Sequence, residues 1–424
     1  MMKSLIKLTT LSLLIAISAN AESNTKVANS VDQKKGNQIN TDWFKKPQAR
    51  VKGKLMFIAG ANSAKKRDSR IDQASFSTKG DFGLSIFADG LNNDSYGADI
   101  VFDLRREKRS SPDFIRAAYA YYNTEDYGTI KVGEMEGALE QTILDGRDIM
   151  GATGGFGGEL FTFATPSTGT LSYYQHAGYD KYATKLLYQT PTINGFQFVA
   201  SFTPHSQLLG SRSRGANEDN NTGFAGGVNS KNVMVRRVIE GVASYGFNTN
   251  GTDVNLYLGG SVADSSTRNV AGASAENVRS AKSFLAGLLV DFGDIQFGAG
   301  YMNNGKSLVR KDLSETYGDA VNAAVSYALG RHYVAAGHMA SWRKVEGGKA
   351  KANISSVTYE YKAAPGLTLF SEVNYFNTRN TSQYYNAAGN ATQTTRGNNK
   401  RIFPGGIREN NKGAVVLFGT AIRY

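Results

Sequence analysis

The stretch AVVLFGTAIRY, residues 414–424, decides the fold. Counting back from its end, Tyr424, Ile422, Thr420, Phe418, Val416 and Ala414 share one parity. Successive strand side chains point to opposite faces, so this set lines one face of a β-strand. Arg423, Ala421 and Gly419 fall on the other, a small or polar face. Such a strand fits either a soluble sandwich, half-buried, or a barrel in hydrocarbon. In the second setting it must pair with the first strand, because an open edge leaves backbone groups unsatisfied in lipid.

The opposite end of the chain supports the second setting. Residues 1–21 carry Lys3 and Lys7, then the apolar run LSLLIAIS, then Ala19-Asn20-Ala21. A charged start, a short apolar core and a small-x-small site make a secretory signal peptide. The apolar run is too short to anchor the chain across a bilayer. Cleavage would leave Glu22 first, and loss of the two lysines lowers the formal charge from +12 to +10.

Composition narrows the class. There are no cysteines, which excludes disulfides and thiolate metal sites. The chain has 47 Gly, 22 Tyr and 22 Phe but only 7 Pro, and its mean hydropathy is −0.35. No stretch after residue 21 is long and apolar enough for a membrane helix. A transmembrane barrel meets all of this, since lipid-facing and lumen-facing residues alternate and the average stays low. Exported chains seldom meet nucleic acid, so the basic balance is read as pore electrostatics or as a surface facing lipopolysaccharide.

Residues 22–50 are polar and without periodicity, which reads as a periplasmic lead-in. Alternation starts at Val51, with Gly53, Leu55, Phe57 and Ala59 on its face and Lys52 and Lys54 on the other. Short turns and long loops then alternate. The short ones include 125–128, 190–195, 248–251, 292–294, 329–331 and 363–366. The long ones include 204–232, 264–279, 303–317 and 377–411. Sixteen segments result, and weak alternation at 70–81 and 282–291 keeps fourteen and eighteen as alternatives. Short periplasmic turns and long outer loops mark an antiparallel transmembrane β-barrel, an all-β fold. An even count returns both ends to the periplasmic side.

One connection is exceptional. Between a segment ending near Gly137 and the next at 182–189 lies ALEQTILDGRDIMGATGGFGGELFTFATPSTG, dense in glycine and acidic residues. A strand like TIKVG, then this loop, then KLLYQTPTINGFQF resembles the Gram-negative general diffusion porins in order and spacing. The resemblance spans the chain beyond Arg50. It departs in the polar lead-in and in an extra segment at 171–180, which leaves the end of the loop open. It implies a trimeric, sixteen-stranded outer-membrane barrel (51–424) whose third loop (137–182) folds inward and narrows the bore. It also implies that carboxylates on this loop face basic residues of the wall. The candidates on the loop side are Glu134, Glu136, Glu140, Asp145, Asp148 and Glu159. Alternation points Lys52, Lys54, Arg105, Arg116 and Arg423 inward from neighbouring segments, with Lys131 and Lys185 on lumen parity. The last strand resembles the terminal strands that the barrel-assembly machinery reads through their final aromatic, which makes Phe418, Ile422 and Tyr424 the assembly signal.

Enzymatic readings find little support. His176, His205, His332 and His338 have no H-E-x-x-H spacing, no G-x-S-x-G elbow is present, and the run 151–158 lacks G-K-[ST]. Glu134 and Glu136 could be offered as an acid and base for an outer-membrane hydrolase, but spacing of two on a strand says only that they share a face. No cofactor is expected. The expected function is passive diffusion of small hydrophilic solutes and ions through a water-filled channel. A phosphate- or anion-specific porin is the nearer rival, and a structural barrel tethering envelope layers through 22–50 is a third. Sugar channels are disfavoured because the inward parity reads as small and charged rather than aromatic.

Overall fold

The computed structural model describes residues 47–64, 72–90, 94–104, 115–164, 176–177, 182–205, 233–267, 279–309, 311, 314–345, 348–382 and 407–424. The signal sequence, nearly all of the lead-in, most of the extra segment at 171–180 and Arg105 lie outside them.

Sixteen antiparallel strands close into a barrel, each paired with its neighbours in sequence. The first half comprises β1 (Gln48–Asn62), β2 (Ala74–Asp89), β3 (Ser95–Asp103), β4 (Ile115–Thr124), β5 (Gly128–Glu134), β6 (Thr184–Gln189), β7 (Phe196–His205) and β8 (Val233–Thr249). The second comprises β9 (Thr252–Thr267), β10 (Ala281–Asp291), β11 (Ile295–Asn303), β12 (Asp319–Leu329), β13 (His332–Val345), β14 (Gly348–Ala364), β15 (Leu367–Ser382) and β16 (Ile407–Arg423). The first strand thus begins slightly ahead of the expected Val51. At the seam β16 pairs with β1 from Lys54↔Arg423 to Asn62↔Val415. Tyr424 completes the closure: the Gly53 amide donates to its carbonyl (3.0 Å) and its amide donates to the Gly53 carbonyl (3.1 Å).

The hairpins follow from sequence. Asn194-Gly195 (φ 50° and 85°) and Asn250-Gly251 (φ 50° and 80°) both take two left-handed residues. That is the type I′ turn whose twist matches antiparallel strands, and Asn-Gly is its preferred pair. Outward parity carries the apolar belt, with Phe57, Val132, Ile239, Leu258, Val357 and Phe418 all exposed. Inward parity carries the core: Met56, Ile58, Leu187, Val242, Met339, Ile354, Phe376 and Leu417 are buried in one cluster with apolar side chains of residues 135–164. The expectation of a small or polar inner face on the last strand therefore fails at Val415 and Leu417, which a covering segment buries. The walls are unequal in height, from 17 residues in β14 and β16 to 7 in β5 and 6 in β6.

Phe418→Arg should lower stability by about 2–4 kcal/mol, the cost of a lipid-face cation near the midplane. Asn255→Arg, on the lumen side, should stay within about 0.5 kcal/mol. Urea titration of protein folded into lipid vesicles measures both. Gly419→Arg is no control, because a Cβ there would lie 2.3 Å from the Phe57 carbonyl and 2.4 Å from the Phe370 ring.

Candidate functional site

The connection from β5 to β6 spans residues 135–183, and its residues 135–164 pack against the inner wall. They contain α1 (Ala138–Thr142), a 3₁₀ turn at Gly155–Gly157 and α2 (Leu160–Phe163). The glycines permit tight coiling: Gly151, Gly154 and Gly155 adopt positive φ, as does Ala152. Helix α1 meets β7, β8 and β9, the 3₁₀ turn meets β13, β14 and β15, and α2 meets β1 and β2. Leu139, Ile149, Met150, Phe156, Leu160 and Phe163 are buried there. Burial of such side chains contributes roughly 1.5–3 kcal/mol each. The wall makes room with small residues: a Cβ at Gly337 would stand 2.7 Å from the Phe156 ring and the Met150 sulfur, and one at Gly60 would stand 2.3 Å from the Phe163 ring.

Wall acceptors hold the loop's backbone. Glu360 Oε1 accepts from the Ala152 amide (2.7 Å). Glu372 Oε2 accepts from the Thr153 amide (3.0 Å), the Thr153 hydroxyl (2.7 Å) and the Gly155 amide (3.4 Å). Asn322 Oδ1 accepts from the Gly146 amide at 2.9 Å. Glu240 Oε2 accepts from the Leu139 amide (3.3 Å) and the Ser201 hydroxyl (3.1 Å), while its Oε1 lies 3.0 Å from His176 Nε2. Hydrogen bonds to ionised carboxylates are about twice as strong as neutral ones. The sequence reading missed these anchors. Parity alone placed Glu240, Glu360 and Glu372 on the inner face, where all three are buried.

The expected charged residues divide into groups. Lys52 lines a space of about 480 Å³ with Arg50, Ser85, Phe87, Asp99, Tyr119, Tyr121 and Lys131. Lys54 follows on the same face of β1, and Arg423 stands opposite it on β16. Lys131 Nζ donates to Gln141 Oε1 at 3.0 Å and lies over the Tyr119 ring. It also borders a second space of about 380 Å³, with Gln141, Gln189, Gln197, Asn255 and Tyr257. Arg116 pairs with Asp81 at 3.3 Å and lies over the Tyr182 ring.

Other expected residues take different roles. Lys185 is buried, with Nζ donating to the Met135 carbonyl at 2.7 Å, so it fastens the loop and does not face open water. Asp145 is fully buried and bridges Arg147 of its own loop at 3.0 Å. Glu159 is buried and pairs with Lys79 at 2.6 Å, a wall cation absent from the sequence candidates. Glu134 is buried at the end of its strand and borders neither space. Glu136 accepts from the Tyr182 hydroxyl at 3.3 Å. Desolvation, reinforced by the Glu136 charge, pushes the Tyr182 phenol up. Glu140 lies in the first turn of α1. Asp148 is exposed, and its Oδ2 accepts from the Asp145 amide at 2.7 Å. Desolvation by the enclosing protein raises its pKa, and that amide bond offsets part of the rise. Arg105 lies outside the described residues. Phe418, Ile422 and Tyr424 all point outward and are exposed.

The inner face is more aromatic than alternation suggested. Phe87, Tyr119, Tyr121 and Tyr257 border the two spaces. Arg50 lies 5.3 Å from the Phe87 ring centroid and Lys131 lies 5.8 Å from that of Tyr119, so protein cations cover these two rings.

Comparison with known proteins places this geometry. The profile of the Gram-negative porin family matches residues 8–381. An uncharacterised protein of Rickettsia prowazekii (strain Madrid E) is 24% identical over 358 residues, covering 72% of this chain and 79% of its own. Another from Rickettsia conorii (strain ATCC VR-613 / Malish 7) is 23% identical over 374 residues, covering 76% and 82%. Among solved structures, an anion-selective porin from Comamonas acidovorans superposes with a TM-score of 0.56 at 12% identity, covering 89% of this chain and 100% of that one. OmpF of Salmonella typhi, in complex with daunomycin, gives 0.54 at 12% identity over 89% and 97%. At such identities the structures establish the barrel fold alone. The family match extends over most of the sequence, and the closed barrel agrees with it: the chain belongs to the Gram-negative porin family, whose members form channels through the outer membrane.

Proposed function

We propose that the channel passes small hydrophilic solutes and ions by diffusion, without chemistry or energy input, and that it favours anions. One observation carries the preference. Arg50, Lys52, Lys54 and Arg423 make no ion pair among the described residues, whereas Asp81, Asp145 and Glu159 are each bridged by a cation. Lys54 and Arg423 also face each other in register, so their fields add. Apolar solutes would displace lumen water while offering no hydrogen bonds in return. The covered rings of Phe87 and Tyr119 suit a charged path better than a sugar-stacking one. A phosphate-specific channel is the second reading, favoured by three cations at alternate positions of β1.

Export through residues 1–21 as a cleaved signal peptide, a lead-in at 22–50, of which β1 takes the last three residues, and a constricting role for 137–182 belong to the same proposal. So does a homotrimer. Strand β6 has 6 residues, and tilted strands of that length rise only about 14 Å, against an apolar band of about 25 Å. A neighbouring copy against this low wall would shield it from lipid. Lipopolysaccharide is the proposed outer-leaflet neighbour, and Tyr424 the proposed signal to the assembly machinery.

Lys52→Ser combined with Lys54→Ser should move the reversal potential in a planar-bilayer salt gradient towards cation preference. The shift should shrink at 1 M salt, where the Debye length is about 3 Å. An unchanged potential at low salt refutes the anion preference, and saturation of current by phosphate would favour the specific channel.

Glu360→Ala with Glu372→Ala leaves amides that cost about 1–3 kcal/mol each when unsatisfied. Conductance should become noisier and larger, with the corresponding Gln pair less affected.

Asp148 has a raised pKa, so as pH falls it loses its charge before an ordinary carboxylate does. Anion preference should therefore begin to rise at a higher pH in the parent than in Asp148→Asn, which already lacks that charge. Reversal potentials from pH 7 down to 4 test this, and coincident curves would exclude Asp148 from the permeation path.

A further inference from the structure

The two spaces inside the barrel differ in chemistry. The first joins Arg50 and Lys52 to Asp99. The second, of about 380 Å³, lies between α1 and the ends of β6–β9 that meet the short turns. Its volume is that of a small-molecule site. Among the described residues that line it, none is acidic and Lys131 alone is cationic. Four amide side chains, Gln141, Gln189, Gln197 and Asn255, supply most of its polar surface together with hydroxyl groups. Alternation puts them there: Gln197 shares the inner face of β7 with buried Val199, and Asn255 that of β9 with buried Tyr257.

Much of this lining has hydrogen-bonding capacity to offer. The side chains of Gln189 and Asn255 and the Tyr257 hydroxyl form no hydrogen bond among the described residues, although none of the three residues is fully exposed. Gln197 Nε2 donates to the Thr190 carbonyl (3.3 Å) and Thr192 Oγ1 (3.2 Å), which leaves its Oε1 to accept. Lys131 gives one N–H to Gln141 Oε1 at 3.0 Å, keeps two more, and forms no ion pair among the described residues.

Charge and donor balance choose the occupant. One cation selects one negative charge. An amide carries both donor and acceptor, and so does a hydroxyl. Phosphate supplies acceptors almost alone and would leave the amide oxygens unmatched. An amino acid would bring an ammonium group to a wall with no carboxylate to receive it. A ring sugar needs an exposed aromatic face to stack on, and Tyr257 is only 8% exposed. A flexible chain of hydroxyls ending in one carboxylate matches every group present.

We infer that this compartment binds open-chain polyhydroxy monocarboxylates, with Lys131 holding the carboxylate and Gln189, Asn255 and Tyr257 the hydroxyls. The inference rests on the anion-preferring channel reading and names a solute class for it. Sodium gluconate added to the full-length protein in planar bilayers, in dilute potassium chloride, should block the current saturably. Glucose, which lacks the charge, and acetate, which lacks the hydroxyls, should each block at least about tenfold more weakly. Gln189→Leu with Asn255→Leu should weaken gluconate block about twenty-five-fold, since each neutral hydrogen bond contributes about fivefold. Acetate block should not change in that variant, which a general disturbance of the pore would not spare. Gln189→Met alone, with about a fivefold loss, stands in if the pair fails to fold. Lys131→Gln should erase the difference between gluconate and glucose. Block by phosphate or glucose as strong as by gluconate, or equal gluconate block in variant and parent, overturns the inference. Calorimetric titration of gluconate into the same protein in detergent reads the site without current. No binding there overturns the inference, whereas binding without any conductance in the parent counts against the channel reading alone.

Discussion

Everything here depends on the seam between β1 and β16. In hydrocarbon no water can satisfy a free strand edge, and each unsatisfied backbone group there costs several kcal/mol. The two hydrogen bonds between Gly53 and Tyr424 finish a ring in which every strand has two neighbours. Once the ring is closed, alternation assigns each side chain to lipid or lumen, and all later chemistry is conditional on that assignment.

Closure also inverts the usual location of the core. Apolar residues face outward to lipid, yet a second apolar cluster fills part of the interior. It exists because residues 135–164 supply side chains for the inner wall to bury, and because wall carboxylates satisfy the amides that such a segment brings with it. Two spaces inside the barrel are bordered by β1–β9 and lined by polar and charged side chains that include Arg50, Lys52, Asp99 and Lys131.

The strand pattern, the Asn-Gly turns and the direction of Lys52, Lys54 and Arg423 were legible because each follows from parity or from a local backbone preference. What covers a given face was not legible. Parity gives Lys185 and Lys131 the same direction, yet a carbonyl of the loop buries the first while the second borders open water. Asp145 and Asp148 look alike in sequence, but Arg147 sequesters only one of them in a bridge. Lys79 stood on a segment of weak alternation, and its partner Glu159 lies 80 positions away. Sequence periodicity has no access to contacts of that range.

The loop's anchors have a bearing on the order of assembly. Ala152 and Thr153 find their acceptors 208 and 219 positions further along the chain. Contacts so distant in sequence are slow to form, because the intervening chain must be ordered before they gain anything. These anchors cannot form until β14 and β15 stand in the wall, so the final seating of the loop waits on strands far along the chain.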